Sequence, residues 1–544
     1  MIRKAPDLSL DRWVWVGLWL AVVAVATWLR TWQLGHQILI DDEWHAIHRL
    51  MRASYLDIFL SFGHADYTIP ATLFFKFLAD TIGLGEWRMR AIPLLSGLAT
   101  VVLLPWVLRP WLARQERWLF AALLAISPLL IHFTRYVRPY ALTIPLMVVA
   151  MVALWRWWHE RRAIYAWVFV PCATLAAWLH PLTLLFTASG LLWFGFAALA
   201  RWWGGQGTQA LWRIVPLGAL TTVLCSALVL PPLLANPAAM SSKSGIHQLQ
   251  WATFPWSWEL MIGTHLWIPA LILFALAALG AVILFRRDAG FAAYWLFAAC
   301  VTVAVISQLD AAWIHHALVL VRYTAVLQPL ALMLIALAVA WIARRLASDG
   351  RQAWPTLGLS ALLLAGLYAV GPLPETYRGL NQFTSHMRYH FDYDFDNSVY
   401  TQVMGRVELP AFYRRMAEEP GDWVLIEAPW HFESHMSPLS EYQREHQMKL
   451  RIGMIGGLCT DWTYGELRYG SAQHIVFRHF VFLADILKRP SPENRFVILH
   501  RESLLGQGRE IADIEPCIDA FREVHGPAWY EDESAVVFRV PAGE

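Results

Sequence analysis

Three acids stand side by side at Asp41, Asp42 and Glu43, in the run Ile-Leu-Ile-Asp-Asp-Glu-Trp-His. Adjacent carboxylates repel, so at least one needs a raised pKa or a cationic partner. A carboxylate here could act as a general base, with a metal ligand beside it. It could also simply cap the helix that follows, because acids at a helix start favour the dipole and accept from free N–H groups. That helix is read from Trp44 onward, with His45, His48, Arg49 and Arg52 along a polar side.

The matching cations are arginines. Arg135, Arg138 and Tyr140 lie in Phe-Thr-Arg-Tyr-Val-Arg-Pro-Tyr, and Arg322 precedes Tyr323. Both sets sit at the ends of apolar runs, where charge is costly unless it is paired or lines a cavity. Arginine suits phosphate, because its planar fork makes two parallel contacts and stays charged. The plainer reading is that each arginine anchors a span end by reaching into the headgroups. A third group holds His64, Asp66 and Tyr67 ahead of Ile69-Pro70, then Glu86-Trp87-Arg88-Met89-Arg90, then His180 before Pro181. His180 is either a substrate ligand or an ordinary interfacial histidine. His431, Glu433 and His435 include an i, i+4 histidine pair but lack a third ligand, so a solvated surface is the better reading. No Walker loop, dinucleotide fingerprint or cysteine-rich metal motif is present.

The elements that must position these residues are membrane spans. The chain has 544 residues, of which 57% are hydrophobic and 15% charged. A soluble domain carries nearer a quarter charged residues, so lipid is the main solvent. About eleven apolar runs are long enough to cross a bilayer, near 13–34, 91–110, 117–134, 140–158, 163–180, 181–200, 213–232, 266–285, 289–309, 321–342 and 354–371. The run 67–85 is broken by Asp80 and Lys76 and reads as an interfacial helix. Arginines at 109–117, 156–162, 201–213, 286–287 and 344–351 fall in alternate loops, which puts them all on one side. The positive-inside bias puts them in the cytoplasm. The 35–90 loop, the 233–262 loop and everything after 372 then lie outside. The 31 Trp, many beside apolar runs, fit the headgroup layer. A net charge of +2 gives no reason to expect nucleic acid.

Composition changes near residue 372. Short β-like runs at 422–427, 495–500 and 534–540 alternate with helix-like segments such as 406–419 and 474–488. The expectation is a polytopic α-helical membrane domain over 1–371 and an extracytoplasmic α/β domain over 372–544. Cys172, Cys225 and Cys300 read as small hydrophobes. Cys459 and Cys517 either pair in an oxidising compartment or stay free.

The order of these motifs resembles the GT-C superfamily of polyprenyl-phosphate-sugar-dependent glycosyltransferases. The nearest branch includes protein O-mannosyltransferases and the lipid A aminoarabinose transferase. The residues that carry the resemblance are Asp42-Glu43, the stretch from His64 to Pro70, Gly85 through Pro93, Arg135 through Tyr140, His180 and Arg322-Tyr323, over roughly 10–340. The sequence departs from the family at 64–70, where a His-Pro-Pro-like run is common.

The resemblance implies an inverting hexosyl- or pentosyltransferase at the outer face of the cytoplasmic (inner) membrane. A sugar would pass from a polyprenyl-phosphate donor to a hydroxyl of an unidentified glycan, lipid or protein. On that reading Asp42 is the base, and Glu43 orients the acceptor, binds a cation or tunes Asp42. Arg135, Arg138, Tyr140 and Arg322 hold the donor phosphate, and His64, Asp66, Arg90, His180 and Tyr323 contact substrate. Membrane lipids are the other partners. The resemblance fixes no cofactor, and a divalent cation near Asp42 and Glu43 stays open. A transporter or flippase explains the spans equally well, but not the acids in a loop. A receptor or assembly subunit would leave Asp42 far from the arginines.

Overall fold

The computed structural model describes residues 12–32, 34–36, 39, 41–63, 66–346, 353–377, 409–429, 442, 446, 448–460, 480–501 and 513–543. Helix α1 (Arg12–Thr31) leads into a loop folded as α2 (Trp44–Arg52), α3 (Tyr55–Leu60) and α4 (Ile69–Thr81). Then come α5 (Glu86–Val107), α6 (Arg114–Ile126), α7 (Pro128–Arg135), α8 (Tyr140–Glu160), α9 (Ala163–Leu179), α10 (Leu184–Trp203) and α11 (Gln209–Ala235). A second loop carries α12 (Ala238–Ser241) and α13 (Thr253–Ile262). The helical part closes with α14 (Trp267–Arg287), α15 (Ala289–Ser307), α16 (Ala317–Thr324), α17 (Gln328–Leu346), α18 (Ala353–Val370) and α19 (Leu373–Thr376).

Among the described residues, eight helical segments are long and apolar enough to cross a membrane, with α16 and α17 running on as one, Ala317–Leu346. Apolar side chains stay exposed around them, as on α14, where Leu271, Ile272 and Phe274 face outward. Helices that are apolar all round belong in lipid. Of the eleven expected runs, α9 and α18 are apolar but shorter than the rest. The run 67–85 is α4, packed on α2, α3 and α9.

The expected third span is not one helix. It breaks between α6 and α7 with a bend of 57°. Pro128 has no N–H to continue the ladder, and its ring forces Ser127 out of the helical region. Ser127 is extended, at φ −64° and ψ 117°. Carbonyls near the break find a donor on α1: the Arg30 guanidinium donates to Ala125 O at 2.8 Å and Leu124 O at 3.0 Å. The bend aims the end of α7 at the first loop.

The opposite end of the bundle is closed by ions. Glu116 is fully buried. Its carboxylate accepts from both Nη atoms of Arg287 and from Arg344 Nη2, each at 2.7 Å, and from the Ala113 N–H at 2.8 Å. Nearby, α14 and α17 touch backbone to backbone at Gly280, where a Cβ would lie 1.9 Å from Leu334 O. Small residues allow such close crossings in membranes.

The α/β part holds α20 (Ala411–Ala417), β1 (Trp423–Ala428), β2 (Lys449–Met454), β3 (Phe480–Phe482), α21 (Leu483–Lys488), β4 (Asn494–His500), α22 (Glu515–His525), β5 (Tyr530–Glu531) and β6 (Ala535–Val540). The sheet order is β3-β2-β1-β4-β6-β5. Strands β3, β2, β1 and β4 are parallel, and β6 returns antiparallel to β4. The expected helix at 474–488 begins instead with strand β3, its first residues lying outside those described. One sheet face, with Leu425, Phe496 and Ile498, shares a continuous apolar core with Ile47, Phe62 and Phe75 of the first loop. The other face packs on α22, and Cys459 is bonded to Cys517 there.

Candidate active site

Asp41, Asp42 and Glu43 form one 3₁₀ turn before α2. Glu43 occupies the N-cap position but makes no side-chain cap bond. Its carboxylate reaches across the fold instead, as does that of Asp42. The capping explanation therefore fails for Glu43.

Asp42 meets two guanidinium groups from distant segments and an imidazole from α2. Its Oδ2 accepts from Arg322 Nη1 at 3.0 Å and lies 3.8 Å from Arg138 Nη2. Its Oδ1 lies 3.2 Å from Nε2 of His45, one turn along α2. Arg138 Nη1 also donates to the Asp42 carbonyl at 3.4 Å. Burial alone would raise the Asp42 carboxyl. The Arg138 charge, the His45 hydrogen bond and the Arg322 charge outweigh it and hold the group well below the usual carboxylate range. Burial also works against the Arg138 cation, and the Asp42 carboxylate more than compensates. The Arg138 Nε–H is buried with no partner among the described residues. Asp42 itself keeps 20% of its side-chain surface exposed, so the cluster opens to the outside.

A second layer holds this one in place. Glu43 and Arg90 are both fully buried, with Oε2 and Nη2 3.6 Å apart. Glu43 Oε1 accepts from the Val137 N–H at 2.9 Å, fixing the turn that presents Arg138. Arg90 donates to Arg135 O at 3.1 Å and to Leu34 O at 3.3 Å, joining α5, α7 and the end of the first span. Arg135 points back at α1, donating to Trp32 O at 2.7 Å and Leu29 O at 3.4 Å. These contacts make Arg90 and Arg135 braces in this structure.

Arg322 is placed by the start of α16, where His316 Nδ1 accepts from the Leu318 N–H at 3.2 Å. Just beyond it, Gln328 Nε2 donates to Ser127 Oγ at 2.9 Å and Met261 O at 2.8 Å. The break in the third span and the arginine of the tenth are thus tied together. Beside the ions stand three rings: His180 lies 5.8 Å from Tyr140 and 6.1 Å from Tyr323, centroid to centroid.

Asp66 is buried further out, with both carboxylate oxygens accepting from Thr72 Oγ1 at 2.8 and 3.0 Å inside the first loop. His64, His431, Glu433 and His435 lie outside the described residues. Two neighbours of the cluster go unmarked as site residues in the sequence. His45 stands out there only as part of a polar helix side, although its i+3 spacing from Asp42 is visible. Tyr67 hydrogen-bonds to Ala239 O and so joins the two long loops that follow α1 and α11. Burial pushes its hydroxyl up to about 12, opposed by Arg138 and aided by Asp42 and Asp66.

Asp42 and Glu43 are each faced by guanidinium groups, and among the described residues no group of three His, Cys, Asp or Glu converges. The arrangement suits an anion that can share the arginines.

No family model and no curated protein matches the sequence. Among solved structures, the chain is similar in overall arrangement to ArnT from Cupriavidus metallidurans bound to undecaprenyl phosphate. Identity is 15% and the TM-score 0.45, over 97% of this chain and 98% of that one. The archaeal oligosaccharyltransferase AglB from Archaeoglobus fulgidus, in complex with an inhibitory peptide and a dolichol-phosphate, is 9% identical with a TM-score of 0.45. It covers 81% of this chain and 64% of its own. The arabinosyltransferase EmbB from Mycobacterium smegmatis is 14% identical with a TM-score of 0.41, over 68% of this chain and 34% of its own. Each is a distant likeness of architecture.

Proposed function

We propose that this protein transfers a sugar from a polyprenyl-phosphate donor to an acceptor hydroxyl at the outer face of the cytoplasmic membrane, with inversion at the anomeric carbon. One observation carries the proposal: Asp42, Arg138 and Arg322 converge from three distant segments at one end of the spans, around a partly open carboxylate. A lipid-linked phosphate lies at that depth when its chain is in the bilayer.

The acceptor oxygen attacks the anomeric carbon. The bond from that carbon to the phosphate oxygen breaks, and its electron pair stays on the phosphate. The acceptor proton passes to Asp42. A phosphodiester with one negative charge becomes a monoester with two, and two guanidinium groups face it. Preorganised charge of this kind commonly lowers a reaction barrier more than any other single effect. Glu43 holds the Val137 turn and so positions Arg138. Tyr140, His180 and Tyr323 offer tilted ring faces with polar edges for the sugar.

The test is transfer from a purified polyprenyl-phosphate sugar in detergent, with wild type and Asp42→Asn compared. Loss of a positioned base should lower the rate about 10²–10⁴-fold. Undiminished transfer by Asp42→Asn would remove Asp42 from the base role. Mass spectrometry of lipids and glycans from cells lacking the protein would name the sugar and acceptor. A lipid that accumulates on the wrong leaflet, with no glycan lost, would favour transport instead.

A further inference from the structure

The cluster contains a tension. A base must accept a proton, yet Asp42 is locked to two cations and a histidine. A carboxylate so held is a weak base. Its neighbours point to how the lock opens.

We propose that the donor phosphate competes with Asp42 for Arg138 and Arg322, and that this exchange makes Asp42 a competent base only once a lipid donor is seated. The inference rests on the assignment of Asp42 and the two arginines given above, and adds an order of events to it.

The geometry favours the exchange. Arg138 is half engaged: Nη2 is 3.8 Å from Asp42 Oδ2, beyond a hydrogen bond, and the buried Nε–H has no partner among the described residues. Nε and an Nη form the fork that a phosphate matches with two parallel bonds. Arg322 meets the Asp42 carboxylate through one hydrogen bond, at 3.0 Å. Asp42 thus occupies an anion site that it fills poorly. Both guanidinium groups attract a phosphodiester, whose charge competes with that of the carboxylate for them. After exchange, the carboxylate faces a like charge and shares its cations, and both changes raise its affinity for a proton.

The ionisable groups around Asp42 are His45 on α2, Tyr67 ahead of α4, Arg138 and Tyr140 at the start of α8, His180 at the end of α9, and Arg322 with Tyr323 on α16. Of the two histidines, a residue type that commonly changes charge near neutrality, His45 touches the Asp42 carboxylate and needs its own control.

The test measures binding of farnesyl methyl phosphodiester, a sugarless probe whose charge is constant between pH 5 and 8. Calorimetry is run on the full-length protein in detergent. Donor binding that raises a carboxyl pKa takes up a proton, so wild type should bind more tightly as pH falls. Asp42→Asn should bind roughly 5-fold or more tightly than wild type at pH 7, the scale of a typical coupling between two sites. It should also lose the pH dependence, while His45→Gln keeps it. Arg138→Ala and Arg322→Ala should lose affinity. Weaker or unchanged binding by Asp42→Asn, with both arginine variants impaired, overturns the exchange and leaves the phosphate site standing. A pH dependence that survives in Asp42→Asn overturns it as well. Full affinity in both arginine variants removes the phosphate site itself.

Discussion

Two acids in this molecule each face two arginines, at opposite ends of the same bundle. Glu116 is fully covered and takes three hydrogen bonds from Arg287 and Arg344 at 2.7 Å plus a backbone N–H. Asp42 is partly open, with Arg322 at 3.0 Å, Arg138 at 3.8 Å and His45 at 3.2 Å. The charges are the same, and the difference is completion. A carboxylate with every lone pair answered at short range has nothing left to offer a ligand. One held loosely, beside a guanidinium that is only half engaged, can give up its partners. Ion content alone therefore does not mark a site; incomplete satisfaction beside an opening does.

The largest effect that would sharpen this contrast is on stability. Breaking a buried ion cluster by removing one partner costs roughly 3–5 kcal/mol. Glu116→Gln should thus give a clear drop in the thermal midpoint in detergent. Asp42→Asn should leave that midpoint nearly unchanged. Equal destabilisation by the two variants would collapse the comparison.

Next comes ligand affinity. Removing a charge-assisted hydrogen bond loses about 1.5–3 kcal/mol. Arg322→Ala should therefore weaken phosphodiester binding roughly 10- to 150-fold. Arg344→Ala should leave affinity unaltered and lower stability instead. A loss of affinity in Arg344→Ala would mean that the two ends are coupled.

A smaller effect is expected behind the site. Glu43→Gln keeps the shape but weakens the hold on Val137 and Arg90. The turnover number should fall about tenfold through misplacement of Arg138, with the farnesyl probe's affinity changed less. An unaltered turnover number would show that the turn needs no such anchor.

Salt should have the least effect. Half-open ion pairs are screened and buried ones much less so. Phosphodiester affinity should fall about twofold between 0.05 and 0.5 M salt, while the midpoint that depends on Glu116 should hold steady. A midpoint that tracks salt would show the Glu116 cluster to be wet.

The spans were legible because length and hydropathy set them with little help from tertiary contacts. Misplaced arginines at span ends signalled that something on that side must answer them, and Asp42, Arg138 and Arg322 do stand together. Arg135 and Arg138 look alike in sequence, three residues apart. Arg135 ends a helix and turns back to α1, whereas Arg138 lies past the extended Tyr136, its N–H bonded to the Tyr136 carbonyl, and faces Asp42. That distinction depends on the bend at Pro128, whose effect on Arg135 the run of apolar residues hides. Glu43 reaches a backbone N–H, and a backbone partner leaves no trace in side-chain identities. Strand β2 does alternate, with Leu450, Ile452 and Met454 set against Lys449, Arg451 and Gly453, so its period of two is legible in the sequence.

The Glu116 cluster also sets a timetable for biosynthesis. Its partners Arg287 and Arg344 follow it by 171 and 228 residues. At roughly 5–20 residues per second on the ribosome, the acid waits on the order of ten to fifty seconds for them. During that time the nascent bundle carries one unanswered acid. A chain released early, before the end of α14 is made, would keep that acid without either arginine, giving quality-control proteases a simple mark of an unfinished protein.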